Sequence, residues 1–430
     1  MEVIRYPDPR TWTDILKRPD YDNRQVTDTV KDILADIREN GDRALKKYSL
    51  KYDGVKLGSF IVTNEEIHRS EGAVSSELKE AILRAKANIE KFHSSQKQKT
   101  RIVNVSRGVK CWQKSVAVEK IGIYIPGGSA PLFSTVLMLG IPAQIAGCKD
   151  IIMCTPPDKK GAVNPVILYC AGLVGVTAVF KVGGAQAIGA MAYGTETVPA
   201  VYKIFGPGNQ YVTAAKQLVT MDGLAIDIPA GPSEVAVIAD DTACPEFVAS
   251  DLLSQAEHNP DSQVILATTE EEIIAKVSKE ILKQIDELPK KDFARQSLEN
   301  SRMLLMRDMA EIIGIINSYA PEHLIISARD AVRLAGQITN AGSVFIGNYT
   351  PESAGDYISG TNHTLPTNGC AKAYNGVNLD TYVRKITFQQ VSKKGLKSIG
   401  PAIKIMAEAE ELVGHKNAVD IRLRKIDLRK

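Results

Sequence analysis

The sequence predicts an α/β protein: two tandem parallel-sheet domains behind a helical N-terminal region, followed by a C-terminal extension. Three observations predict it. From about residue 118 to 350, short apolar runs alternate with amphipathic stretches of helical length, as strands and helices do in a parallel sheet. Three of the strand-to-helix junctions are rich in glycine, at 126–129, 183–186 and 206–209. The first hundred residues instead place apolar side chains every three or four positions with charges between them, the spacing of helices packed by one face.

The elements follow in order. Helices are expected at 26–47 and 64–92, with Asn64 in an N-cap-like position. His68 and His93 fall among charges on these helices and read as solvated or helix-end residues. The polar, basic stretch 96–110 reads as a linker or an edge strand. Strands are expected at 121–125, 150–154, 178–182 and 201–205, and helices follow each, reaching 146, 172 and 219. A second set has strands at 235–239, 264–267, 303–306, 324–326 and 343–346. Its helices are expected at 246–257, 270–285, 309–318 and 330–337. Beyond 350 the chain reads as loop-rich, then helical at 398–412, with 422–430 a solvated tail or a last strand. No short-period repeat or low-complexity tract interrupts this. The domain division is therefore 1–110 helical, 111–233 first α/β domain, 234–350 second α/β domain, and 351–430 C-terminal region. Both domains are Rossmann-like, but the fingerprint is incomplete.

The bulk properties exclude several classes. The chain has 430 residues, 44% hydrophobic and 24% charged, with a net charge of +3. This length fits two to three domains. So small a charge exerts no strong pull toward nucleic acid or a membrane surface. No apolar run has membrane-spanning length, and residues 1–14 lack the apolar core of a signal peptide. The six cysteines are scattered without a CxxC pair. That argues for reduced thiols in a cytoplasmic protein and against a cysteine-type zinc site.

Two groups of residues bear on chemistry. Glycines at strand-to-helix turns let the backbone approach a pyrophosphate at a helix N-terminus. However, Gly206-Pro207-Gly208 continues to Tyr211 and not to a third glycine, so tight turns of an ordinary α/β protein are the alternative. The second group is richer. Gln255 and His258 lie three residues apart at a helix end stopped by Pro260, so both side chains leave one face. A helix C-terminus with His258 on the last carbonyls is the competing reading. With His415, Asp356 and the Gln255 amide, His258 makes a nitrogen and oxygen donor set of the kind catalytic zinc takes. HExxH is absent. Glu322-His323 is an adjacent pair of proton-transfer groups, or else a capping glutamate beside a half-buried histidine. Asp356 also reads as a turn residue, and Glu410 and His415 as charge decoration around Gly414. His363 reads as structural and not as a ligand.

Several longer segments carry a resemblance. They are YIPGGSAPLFSTVLM from Tyr124, GGAQAIGAMAYGT from Gly183, KIFGPGNQYVTAAK from Lys203, DIPAGPSEV from Asp227, SQAEHNPDSQ from Ser254, APEHL from Ala320 and SAGDYISGTNHTLPT from Ser353. In this order and over nearly the full length, the chain resembles the histidinol dehydrogenase family. The resemblance implies one Zn2+ per subunit on Gln255, His258, Asp356 and His415, and a catalytic pair at Glu322 and His323. It implies substrate contacts at Ser233, Gln255, His258, His323, Asp356, Glu410 and His415, and NAD contacts at Tyr124, Gln186 and Asn209. It further implies a homodimer in which the C-terminal extension carries Glu410 and His415 to the partner's site. The implied reaction oxidises L-histidinol to L-histidine with two NAD. Rival readings are a related zinc and NAD dehydrogenase of another polar alcohol, a zinc hydrolase, and a structural metal-binding module.

Overall fold

The computed structural model describes residues 1–19, 24–127, 131–228 and 231–428. Gly128 and Ser129 of the first glycine-rich turn lie outside them. The chain forms two compact units. One comprises Met1–Gln96 and Val118–Thr381, the other Lys97–Ala117 and Tyr382–Lys430. The described strands are β1 (Glu2–Arg5), β2 (Val103–Ser106), β3 (Val109–Ala117), β4 (Lys120–Tyr124), β5 (Asp150–Thr155), β6 (Ala178–Lys181), β7 (Lys203–Phe205), β8 (Ala225–Ile226), β9 (Glu234–Ala239), β10 (Gln263–Thr268), β11 (Arg302–Leu305), β12 (His323–Ser327), β13 (Ser343–Ile346) and β14 (Val383–Val391).

The larger unit holds two parallel sheets. One runs β6-β5-β4-β7-β8, the other β1-β11-β10-β9-β12-β13. Counted from its own first strand, and setting β1 aside, each sheet has the order 3-2-1-4-5, so the strand direction of travel reverses beside β4 and beside β9. The central strands are apolar on both faces because helices cover both. Every residue of β9 and of β10 is buried. The helix Phe133–Ala146 is buried almost all round and tolerates Pro142 inside it. The amphipathic N-terminal helix Arg24–Tyr48 packs Leu34 and Ile37 onto Gly189 of the helix Gly184–Tyr193, where a Cβ would crowd them.

The smaller unit is an antiparallel sheet, β14-β3-β2, with helices Lys393–Ala409 and Val413–Asp427. Trp112 of β3 stacks on Phe388 of β14, their ring centroids 5.4 Å apart.

Several expectations need correction. The N-terminal region is not all helix, since Glu2–Arg5 joins the second sheet as β1 beside β11. Of the two readings of 96–110, the edge strand holds: it forms β2 at the edge of the three-stranded sheet and also begins β3. The region beyond 350 contains the nine-residue β14, and residues 422–427 are helical. Thr63, not Asn64, caps the next helix; its hydroxyl accepts from Glu66 N while the Glu66 carboxylate accepts from Thr63 N. His93 is fully buried, not solvated. Its Nδ1–H donates to Ile89 O at 3.0 Å.

Candidate active site

Two half-sites form on opposite edges of the two sheets. The first lies beyond the carboxyl ends of β4, β6 and β7. Tyr124 ends β4, and its hydroxyl accepts from Gly184 N at 2.9 Å. Gly184 sits at φ +67, and a Cβ there would press on the Gln186 amide oxygen. Gly206 sits at φ +127, where a Cβ would overlap the Tyr124 carbonyl. This glycine therefore lets the ends of β4 and β7 close up at the switch point. A buried ion pair between Lys216 and Asp227 pins the turn: Lys216 Nζ donates to Gly206 O at 2.8 Å and Gly206 N donates to Asp227 Oδ2 at 2.7 Å. Asn209 caps the helix Gln210–Met221, its side-chain oxygen accepting from Tyr211 N and Val212 N, both at 3.1 Å. Its amide N–H groups are what it offers a ligand. Tyr124, Gln186 and Asn209 line one cleft of about 1250 Å³. Burial pushes the Tyr124 phenol up to about 12, so it stays neutral.

The second half-site lies at the amino ends of β9 and β12. Glu322 and His323 stand where β12 begins, beside Glu234 at the start of β9. The Glu234 backbone holds both. Its N–H donates to Glu322 Oε2 at 3.0 Å, and its carbonyl accepts from His323 Nδ1 at 3.1 Å. That assigns the proton to Nδ1 and leaves Nε2 a bare acceptor, buried, without a hydrogen bond and 3.9 Å from Asp356 Oδ1. Burial lowers the His323 imidazole to about 3, with Glu234 opposing and His363 and His258 adding to the fall, so it is neutral.

Around it carboxyl groups crowd. Glu352, in the first turn of the helix Glu352–Tyr357, lies 3.6 Å from His323 Nδ1, and its Oε2 is buried without a hydrogen bond. Burial first, then like charge, raises the Glu352 and Glu322 carboxyls well above their ordinary range. Burial alone pushes Asp356 to about 6. His323, Glu352 and Asp356 present ligand atoms within 4.8 Å of one another.

The predicted ligands are brought together in part. Gln255 is buried in the last turn of the helix Pro245–Ala256, which contacts the helix Glu352–Tyr357. Its amide oxygen is buried and makes no hydrogen bond. His258 is exposed on the following loop, and its N–H donates to Gln255 O at 3.2 Å. Its charge bears on His323 and His363. Ser233 precedes Glu234, and its carbonyl accepts from Gln263 N at 3.3 Å. Glu410 and His415 belong to the smaller unit, where both are exposed. His363 spans the two half-sites: Nδ1 donates to Asp356 O at 3.1 Å, and Nε2 meets Thr135 Oγ1 at 3.2 Å in the helix after β4. Next to it, Asn362 Nδ2 donates to Met138 O at 2.6 Å.

Three supports escaped the sequence. Arg18 donates to both Glu234 carboxylate oxygens, at 2.5 and 2.8 Å, while its guanidinium lies 4.1 Å from the Tyr319 ring centre. Glu352 follows a proline at a helix start, a setting that signals only a favourable helix dipole. Lys216 and Asp227 are eleven residues apart, with no periodicity linking them.

Comparison with known proteins places the chain as a whole. The histidinol dehydrogenase family model matches residues 16–423. A histidinol dehydrogenase of Bacteroides fragilis is 58% identical over 426 residues, covering 99% of this chain and 100% of that protein. The one of Escherichia coli strain K12 is 51% identical over 403 residues, 93% of this chain and 92% of that protein. The crystal structure of histidinol dehydrogenase from Elizabethkingia anophelis superposes with a TM-score of 0.97 at 53% identity, covering 99% of each chain. With the sequence matched end to end and the fold reproduced in full, this chain belongs to the histidinol dehydrogenase family.

Proposed function

We propose that this protein oxidises L-histidinol to L-histidine through bound L-histidinaldehyde, the last step of histidine biosynthesis, as a cytoplasmic homodimer. The observation that carries this reading is His323: a neutral imidazole fixed through Nδ1, with a bare Nε2 beside Asp356. The reading divides the chain at 111–233 for NAD, 234–350 for zinc and catalysis, and 351–430 for the partner's site.

The residues suit a divalent cation. Glu322, Glu352 and Asp356 hold protons strongly because burial penalises their charge, which a cation would relieve. The Gln255 amide oxygen is buried with no donor of its own. Gln255, His258, Asp356 and His415 would hold one zinc ion, which would supply Lewis acidity toward the nitrogen donors of the substrate. NAD, held by Tyr124, Gln186 and Asn209, supplies the hydride acceptor.

The chain's own residues do the rest. Ser233, Gln255, His258, His323, Asp356, Glu410 and His415 surround the substrate and orient its hydroxymethyl group. His323 Nε2 takes the hydroxyl proton as hydride departs, and the carboxyl groups around it steady the imidazolium. The aldehyde stays bound. Glu322, anchored on Glu234 N, takes a proton from water to form the hydrate. His323 then takes the second hydroxyl proton. In sum, histidinol and water lose two hydrides and three protons.

Glu410 and His415 would reach the partner chain's site. The smaller unit supports this: Ile102, Val105, Ile405, Met406 and Val413 are all more than half exposed, an apolar surface that a partner would cover. A zinc hydrolase would leave the cleft at Tyr124, Gln186 and Asn209 without a role. The test is to supply L-histidinol and NAD to the zinc-loaded protein and count NADH per histidine. Two are expected; one NADH with released aldehyde would overturn the reading.

A further inference from the structure

The cleft lined by Tyr124, Gln186 and Asn209 has a further wall, supplied by the short π-helix Ser49–Asp53 at the end of the N-terminal helical region. Its last residue, Asp53, lines the cleft with one carboxylate oxygen buried and making no hydrogen bond. The chain then turns at Gly54, φ +70, which holds the aspartate in place. Burial pushes the Asp53 carboxyl up to about 6, with no cation of the chain offsetting it. Asp53 and Tyr124 line the same cleft, and the aspartate's charge adds to the burial that raises the Tyr124 phenol. The other aspartate on the cleft, Asp158, turns one oxygen back to its own loop: Oδ1 accepts from Lys160 N and Ala162 N at 2.8 and 2.9 Å. Asp53 is therefore a residue of the cleft wall with a carboxylate oxygen that no donor of the described chain satisfies, a group suited to hydroxyl donors.

We propose that Asp53 accepts hydrogen bonds from the adenosine ribose hydroxyls of the dinucleotide and so selects NAD over its 2′-phosphorylated form. The inference rests on the NAD reading above and deepens it. A carboxylate at the carboxyl edge of a 3-2-1-4-5 sheet is the general chemical solution for a ribose diol, since it takes both hydroxyls and repels a phosphate ester there. Here the carboxylate comes from outside the sheet, because β5 ends at Thr155 and is followed by Pro156 and Pro157, while Asp158 beyond them turns Oδ1 back to its own loop. The adenosine half is assigned because Asp53 lines the cleft of the first half-site with Tyr124, whereas the reactive His323 stands at the start of β12 in the second.

The test is calorimetric titration of NAD and NADP into the zinc-loaded protein and into Asp53→Asn and Asp53→Ala, with steady-state kinetics beside it. In Asp53→Ala, NAD affinity should fall about tenfold or more, and the preference for NAD over NADP should shrink by a similar factor. KM for NAD should rise while kcat and KM for histidinol hold. Asp53→Asn, nearly equal in shape, should lose more of the preference than of the affinity. Wild-type binding of NAD with unchanged affinity and preference in both variants would overturn the role of Asp53 and leave the NAD reading standing. Wild-type protein that binds neither nucleotide, with or without histidinol, would overturn both.

Discussion

The base role proposed for His323 rests on its other nitrogen being already committed. The Glu234 carbonyl fixes Nδ1–H, so the lone pair on Nε2 is left without a hydrogen bond beside Asp356. Replacing His323 with Asn keeps a donor toward Glu234 and removes the base. The first hydride transfer should slow by about 10² to 10⁴, with zinc content and NAD binding retained. Rapid-mixing measurement of the first NADH checks it; unchanged rates would refute the assignment. Glu322→Gln tests the neighbouring role. Its amide still accepts from Glu234 N but cannot take a proton from water, so oxidation of added aldehyde should slow more than oxidation of alcohol. Equal slowing of the two steps counts against water activation by Glu322.

At the scale of elements, the start of β9 is the hub. Its first residue offers backbone groups to Glu322 and His323, and its side chain is tied to Arg18 of the N-terminal region. The Arg18–Glu234 pair is largely buried, at 18% and 3% side-chain exposure, so removing one partner strands a charge. Arg18→Met should cost about 3–5 kcal/mol in denaturant unfolding, and it should lower kcat more than it weakens NAD. The helix Ser76–Ser94 carries a different liability in His93, buried with Nε2 unpaired. Burial lowers its pKa below the ordinary 6.5. Between that depressed value and 6.5 the unfolded chain binds a proton that the folded chain does not. Its contribution is complete above pH 6.5 and is lost as pH falls toward the depressed value. Unfolding midpoints should therefore drop on acidification below about pH 6.5, and less steeply in His93→Leu. An identical slope in that variant would clear His93.

For the whole molecule, the proposed site combines the carboxyl edge of one sheet with the amino edge of its twin. His363 and Asn362 join the two through the helix Phe133–Ala146. Glu322, His323 and Asp356 lie in one compact unit and Glu410 and His415 in the other, which makes shared sites testable by mixing. His323→Asn and His415→Asn should each be nearly inactive alone. Dissociated and reassociated together, they should regain about a quarter of wild-type activity, since half the dimers are mixed and each mixed dimer has one intact site. No recovery from a mixture shown to exchange chains would mean that each chain completes its own site.

The sequence by itself determined the fold class and the order of the elements, because buried parallel strands are continuous apolar runs and their turns are marked by glycine, both of them local signals. It also marked Glu322-His323, Gln255 and Asp356 as chemically unusual, and the segments around them as those of a known family. Only the tertiary structure decided which His323 nitrogen carries the proton, that Glu352 lies against His323 and Arg18 against Glu234, and that Glu2–Arg5 and Val383–Val391 are strands. The reason is physical. Strand pairing across hundreds of residues, a buried ion pair and an imidazole tautomer depend on neighbours distant in the chain, and no periodicity along the sequence records who those neighbours are.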